Sequence, residues 1–126
     1  MEIAEVRRLN GLQLAFIGDT VYDLFVRTDV LESADENVRE LHRHAVKRVN
    51  AGAQARAFDR IEAELDEEEK DVARRGRNAH SRPPKNQDPG DYSRATALEA
   101  LLGYLYLAGR QDRIAELTEI IRREGL

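Results

Sequence analysis

The run Leu12-Gln13-Leu14-Ala15-Phe16-Ile17-Gly18-Asp19-Thr20-Val21-Tyr22-Asp23-Leu24-Phe25-Val26 decides how this chain folds. Leu14, Ile17, Val21 and Leu24 recur at three- and four-residue spacing, which lays one apolar stripe along a helix. A rotated stripe carries Leu12, Ala15, Phe16 and Val26, so the pattern predicts a helix apolar nearly all round and mostly buried. Asp19 falls in that second stripe, and Asp23 follows one turn on. A carboxylate in such a setting has to be paired, hydrogen-bonded or bound to a cation, because burying a bare charge is costly. Gly18, beside it, costs a helix interior roughly 1 kcal/mol against Ala. Such a cost is accepted where something approaches the backbone closely.

Working outward, the run from Ser93 to Leu107 repeats this peculiarity. Ala95, Leu98, Leu102, Leu105 and Gly109 make its main stripe, while Glu99 stands among Leu98, Ala100, Leu101 and Leu102, with Gly103 one turn later. The economical expectation is that the two helices cross near Gly18 and Gly103 and bring Asp19 and Glu99 together as buried neighbours. Two such carboxylates share a proton or hold a cation. With no thiolate and mostly oxygen ligands on offer, that cation is Mg²⁺ or Mn²⁺. A site of this kind suits hydrolysis of a phosphodiester. The competing reading takes Gly18-Asp19 as a turn, with Asp19 or Thr20 capping a helix and Glu99 paired to Arg94 or another base.

The remaining spacing is helical nearly everywhere and strand signals are scarce, so the chain reads as all-α. Asn10 caps the central helix, expected to end near Asp29. Ser33-Ala34-Asp35-Glu36 has capping-box spacing and opens a helix with Val38, Leu41, Ala45, Val46 and Val49 inward. Asn50–Ala53 reads as a bend before a helix over 53–65. Asp66 caps the next helix, which ends at Arg74-Arg75-Gly76 with Gly76 as its left-handed cap. Ala79 to Gly90 is a loop, Ser93–Leu107 a helix and Gln111–Glu124 an amphipathic one with Ile114, Leu117, Ile120 and Ile121 inward.

At 126 residues the chain is long enough for one domain, read as 1–126. The lack of cysteine excludes disulfides and a thiol nucleophile and agrees with a reducing compartment. The charged N-terminus has no signal-peptide core, and no apolar run reaches the roughly 18–20 residues of a membrane span. A soluble, cytoplasmic protein is expected.

The net charge of −4 speaks against nucleic acid only if charges are evenly spread, and they are segregated. Acids crowd 62–71 and bases crowd 39–56 and 74–85, so a local basic face can still track phosphates. Arg74 and Arg75 suit a helix C-terminus, whereas Arg77, Asn78, His80, Arg82, Lys85 and Asn86 lie past the cap and are the better phosphate contacts. Arg39, Arg43, Lys47 and Arg48 read as a solvated helix face. No zinc motif, P-loop or dinucleotide fingerprint occurs.

The residues also carry a family resemblance. Leu14-Ala15-Phe16-Ile17-Gly18-Asp19-Thr20-Val21-Tyr22 resembles the signature helix of the ribonuclease III catalytic domain, and Leu98-Glu99-Ala100-Leu101-Leu102-Gly103-Tyr104-Leu105-Tyr106-Leu107 its second acidic helix. Leu41-His42, Arg74-Arg75-Gly76-Arg77-Asn78-Ala79, Pro84-Lys85-Asn86 and the run from Tyr92-Ser93 to Gly103 resemble the mini-ribonuclease III branch, which lacks a separate double-stranded-RNA-binding domain. The resemblance runs from Leu9 to about Arg123. It implies an all-helical, two-fold symmetric homodimer that holds double-stranded RNA between subunits and cuts each strand with Mg²⁺, for which Mn²⁺ substitutes. Asp19 then matches the catalytic aspartate and Glu99 the metal-binding glutamate, both catalytic and metal residues. Arg75, Arg77, Asn78, His80, Arg82 and Lys85 become the expected RNA contacts.

Full-length ribonuclease III has a glutamate where this chain has Ala15 and an aspartate where it has Thr96. The mini branch shares both replacements, which implies fewer protein ligands and weaker metal affinity. The branch is associated with maturation of large-subunit (23S) ribosomal RNA precursor, and the resemblance leaves room for a ribosomal protein as partner. The alternative is a catalytically weak or inactive RNA-binding or ribosome-associated module on the same fold. A helical protein-interaction module would leave both acids unexplained.

Overall fold

The structure is a computed structural model that describes residues 1–79, 82–83 and 85–125. Seven α-helices follow in order among the described residues: α1 (Ile3–Arg8), α2 (Gly11–Ser33), α3 (Val38–Val49), α4 (Ala51–Ile61), α5 (Glu67–Arg77), α6 (Pro89–Leu107) and α7 (Gln111–Gly125). A 3₁₀ turn over Glu62–Glu64 joins α4 to α5. No strand occurs among these residues, as the apolar spacing predicts.

Local chemistry sets the boundaries. The Asn10 side chain accepts from the Gln13 N–H at 2.8 Å while Gln13 Oε1 accepts from the Asn10 N–H at 2.9 Å, a capping box that starts α2. Asp66 and Glu69 do the same for α5. α3 begins differently from the sequence expectation: Asn37, not Ser33, is its cap, because α2 runs past Asp29 as far as Ser33. Ser33 instead donates its hydroxyl back to the Asp29 carbonyl at 2.8 Å. Asn50 caps α4 directly, so the expected bend shrinks to a single residue. α6 starts at Pro89, earlier than expected, with Asp88 accepting from the N–H groups of Gly90 and Asp91.

Two glycine assignments change. Gly76 lies inside α5 and is buried, where a Cβ would meet Ala100 Cβ at 2.7 Å, so it permits close packing on α6 rather than capping a helix. Gly109 does the capping, not the core packing expected of it. At φ +75° it ends α6 in a Schellman turn, with the Arg110 N–H reaching the Leu105 carbonyl at 2.8 Å and the Gly109 N–H the Tyr106 carbonyl at 3.1 Å.

α6 is the helix at the centre, packed by α2, α4 and α5. Leu98, Leu101, Leu102 and Leu105 are fully buried, together with Leu14, Val26, Phe58, Ile61 and Leu117 from the helices around it. The all-round burial predicted for α2 therefore belongs to α6. α2 keeps one open flank: Leu12, Phe16, Leu24 and Leu31 are exposed, Phe16 to 82% and Leu24 to 66%. On α3, Val38 and Val46 are likewise exposed and only Ala45 is fully buried. No described helix is long and apolar enough to cross a membrane.

Candidate active site at the α2–α6 crossing

α2 and α6 meet backbone to backbone. A Cβ on Gly18 would fall 1.6 Å from the Glu99 carbonyl oxygen, and one on Gly103 would fall 2.0 Å from the Leu14 carbonyl oxygen. Each glycine thus opens the gap that the other helix fills, as the sequence implies. The consequence lies next to it: Asp19, one residue after Gly18, is brought beside Glu99, near enough to raise its pKa.

Burial, the hydrogen bond with Asp19 and repulsion by Asp19's charge push the Glu99 carboxyl up from 4.5 to about 8, against a smaller opposing effect of Gln54. Glu99 therefore keeps its proton at neutral pH in the absence of a cation. Neither acid has a base as partner among the described residues. Arg94, the candidate counter-charge to Glu99, binds Asp59 at 3.2 Å and Asp91 at 3.5 Å instead. Asp23 is tied to Arg27 at 3.0 Å. One expectation needs correction: Asp19 is exposed and Glu99 half-buried, so the pair sits at the rim of the core and not within it. A rim position leaves one side open to a substrate.

Gln54 is the neighbour that sequence reading missed. It is 4% exposed, its amide Nε2 donates to the Val49 carbonyl at 2.9 Å, and its side chain is near enough to Glu99 to oppose the rise of its pKa. Its Oε1 is buried with no hydrogen-bond partner. The signal was present in the sequence: Gln54, Ala57, Phe58 and Ile61 form one helical stripe of α4, and the first of them is polar. Ala15 and Thr96 supply no further acid; the Thr96 hydroxyl is spent on the Tyr92 carbonyl at 2.9 Å.

The local donors are thus two facing carboxylates without a base and an orphaned amide oxygen. This all-oxygen set suits a hard divalent cation better than any softer metal. No group of three or more His, Cys, Asp or Glu side chains that would hold a metal is found among the described residues, so such an ion would draw its other ligands from water and substrate.

The expected RNA contacts scatter. Arg75 is half-buried and donates through Nη2 to the Leu9 carbonyl, locking the α1–α2 junction. Arg77 lies in the last turn of α5, not beyond it, 3.7 Å from Glu62 and over the Phe58 ring at 5.3 Å. Asn78 is the C-cap of α5, its N–H on the Arg74 carbonyl at 2.9 Å. Arg82 and Lys85 are exposed in the connection to α6. His80 lies outside the described residues.

Comparison with known proteins agrees with this geometry. A model of the ribonuclease III domain matches residues 12–110, a span that contains the crossing and both acids. The chain belongs to the ribonuclease III family, in its mini-ribonuclease III branch, and is an endoribonuclease. It is 45% identical over 120 residues to Mini-ribonuclease 3 of Symbiobacterium thermophilum, covering 94% of this chain and 92% of that protein. It is 48% identical over 116 residues to Mini-ribonuclease 3 of Thermoanaerobacter sp., covering 91% and 82%. The fold matches the X-ray structure of a protein from Fusobacterium nucleatum with a TM-score of 0.85 at 32% identity, over 97% of this chain and 98% of that one.

Proposed function

We propose that Asp19 and Glu99 form the catalytic centre of a divalent-metal-dependent endoribonuclease that cuts double-stranded RNA as a homodimer, with Mg²⁺ as the natural ion and Mn²⁺ able to replace it. The observation that carries this reading is the close crossing at Gly18 and Gly103, which brings two acids together with no ion pair to either among the described residues. A retired site has no reason to keep two carboxylates in repulsive contact. When bound, the cation supplies charge for the oxyanion that develops at phosphorus and makes an attacking water more acidic. Asp19 and Glu99 would hold it, Glu99 in its deprotonated form. Gln54, buried beside the pair, opposes the rise of the Glu99 pKa. The sparse ligand set, with Ala15 and Thr96 in place of acids, predicts weak metal affinity.

The exposed flank of α2 supports the homodimer. Leu12, Phe16 and Leu24 recur four and eight residues apart along one face, a stripe too apolar to be left in water. Pairing two copies through it would carry two acid centres on one particle, one for each strand of a duplex. For RNA contact, Arg82 and Lys85 are the cations whose exposure suits phosphates. Arg75 and Arg77 have structural partners, and Asn78 serves as a cap. The substrate we infer, after the branch, is precursor of large-subunit ribosomal RNA, met in the cytoplasm.

The test is incubation of purified protein with long duplex RNA, with Mg²⁺ or with chelator, resolved on a gel. The proposal expects discrete shortening with Mg²⁺ and intact duplex with chelator. Equal cleavage in both would remove the metal from the account, and no cleavage in either would favour an RNA-binding module.

A further inference from the structure

A second site, with neither acid of the pair in its lining, opens where α2, α3, α4 and α7 converge. A cavity of about 180 Å³ is lined there by Tyr22, Lys47, Arg48, Ala53, Arg56, Arg60 and Ile121. Four of these seven side chains are cationic, in a chain whose acids outnumber its bases by 24 to 20. Several arginines elsewhere are neutralised: Arg27 by Asp23, Arg74 by Asp71, Arg94 by Asp59 and Arg113 by Glu69. In this cavity only Arg48 has an acid, Asp29, at 2.6 Å. Lys47, Arg56 and Arg60 make no ion pair within 4.0 Å among the described residues.

Lys47, Arg56 and Arg60, gathered beside an Arg48 that already occupies Asp29, repel each other, and the cost grows as water is excluded. An anion held between them removes that cost. Tyr22, which lines the cavity, adds a hydroxyl. Tyr22 is 2% exposed, and burial raises its pKa against the pull of Arg48 and Arg60, so the phenol keeps its proton to donate. The volume greatly exceeds the roughly 10–15 Å³ that one water needs, which leaves room for a tetrahedral anion with its waters.

We propose that this cavity binds a phosphate group, with Lys47, Arg56 and Arg60 supplying charge and the Tyr22 hydroxyl a hydrogen bond. The phosphate comes either from the backbone of bound RNA or from a small free phosphate. The proposal does not depend on Asp19 and Glu99 being catalytic, and it is tested without reading activity.

Inorganic phosphate is titrated calorimetrically into the parent protein and into an Arg56→Gln/Arg60→Gln double variant at constant ionic strength. The parent should show saturable binding and the variant a loss of about tenfold or more, in line with removing two charged donors. Arg60→Lys, which keeps the charge, should recover part of the loss, and matching thermal unfolding curves establish that the variants are folded. In the second arm, duplex RNA binding is measured in chelator across a salt series. If RNA supplies the phosphate, the double variant should lower the slope of log affinity against log salt by about one to two contacts. Phosphate binding lost with an unchanged RNA slope supports a small free phosphate, and a lowered slope supports the RNA backbone. No saturable phosphate binding by the parent, together with an unchanged RNA slope in the double variant, overturns the proposal.

Discussion

Glu99 shows how much one side chain depends on its surroundings. Its carboxyl is raised from 4.5 to about 8 by burial and by Asp19, so in the metal-free protein the folded state holds a proton that the unfolded chain has released. The resulting stability is fully present below about pH 4.5 and is lost as pH rises through about 8. Chemical denaturation in chelator should therefore give a lower midpoint at pH 9 than at pH 6. Glu99→Gln should flatten that difference, and added Mn²⁺ should restore the midpoint of the parent at pH 9. The sequence revealed Asp19 and Glu99 because each is an acid beside a glycine in an apolar run. Gln54 was harder to find: a neutral residue that alters no charge count, it is marked only as the polar member of an apolar α4 stripe. Asp29 was concealed too: buried by the core, it is stabilised by Arg48, nineteen residues away at 2.6 Å.

At the scale of helices, the crossing of α2 and α6 controls the site. Adding a single carbon at Gly18 puts it 1.6 Å from a backbone oxygen that cannot rotate aside. Gly18→Ala should cost about 3 kcal/mol or more in urea denaturation, and an unchanged midpoint would refute the close approach. α5 and α7 are joined by a second device: Glu69, almost fully buried, takes Arg113 Nε at 2.8 Å and Nη2 at 2.9 Å. Burial works to raise the Glu69 pKa, but the bonds from Arg113 and the Asp66 backbone win and hold it below 4.5. Its contribution is present above about pH 4.5 and lost as pH falls through the folded value. Arg113→Ala should lower the unfolding midpoint at pH 7 and have a smaller effect at pH 3. Element type was legible throughout because the apolar period is 3.6 along nearly the whole chain. Boundaries were less so. Ser33 and Asn37 both have capping chemistry, and only the continued packing of α2 through Val30 selects the second.

On the scale of the molecule, a sequence cannot tell an apolar stripe meant for the chain's own core from one meant for another copy. Leu14 and Phe16 look alike in a pattern, yet Leu14 is fully buried and Phe16 projects outward. The proposed homodimer accounts for that difference. Phe16→Asp should shift the sedimenting species from dimer to monomer while leaving the helical circular dichroism intact, and a parent that sediments as a monomer would remove the dimer from the account. Lys85→Ala should weaken duplex binding and lower its salt slope by about one. Arg77→Ala should change that slope less, because its guanidinium already serves Glu62 and Phe58.

The central claim is that two acids joined across a helix crossing do the cutting, and one comparison tests it most directly. Single-turnover cleavage of duplex RNA in Mg²⁺ is measured for the parent and for Asp19→Asn at matched RNA binding and matched oligomeric state. The variant should lose about 10³-fold or more in rate with its duplex affinity retained, as expected for a group needed only in the chemical step. Cleavage by Asp19→Asn at the parental rate would contradict the account.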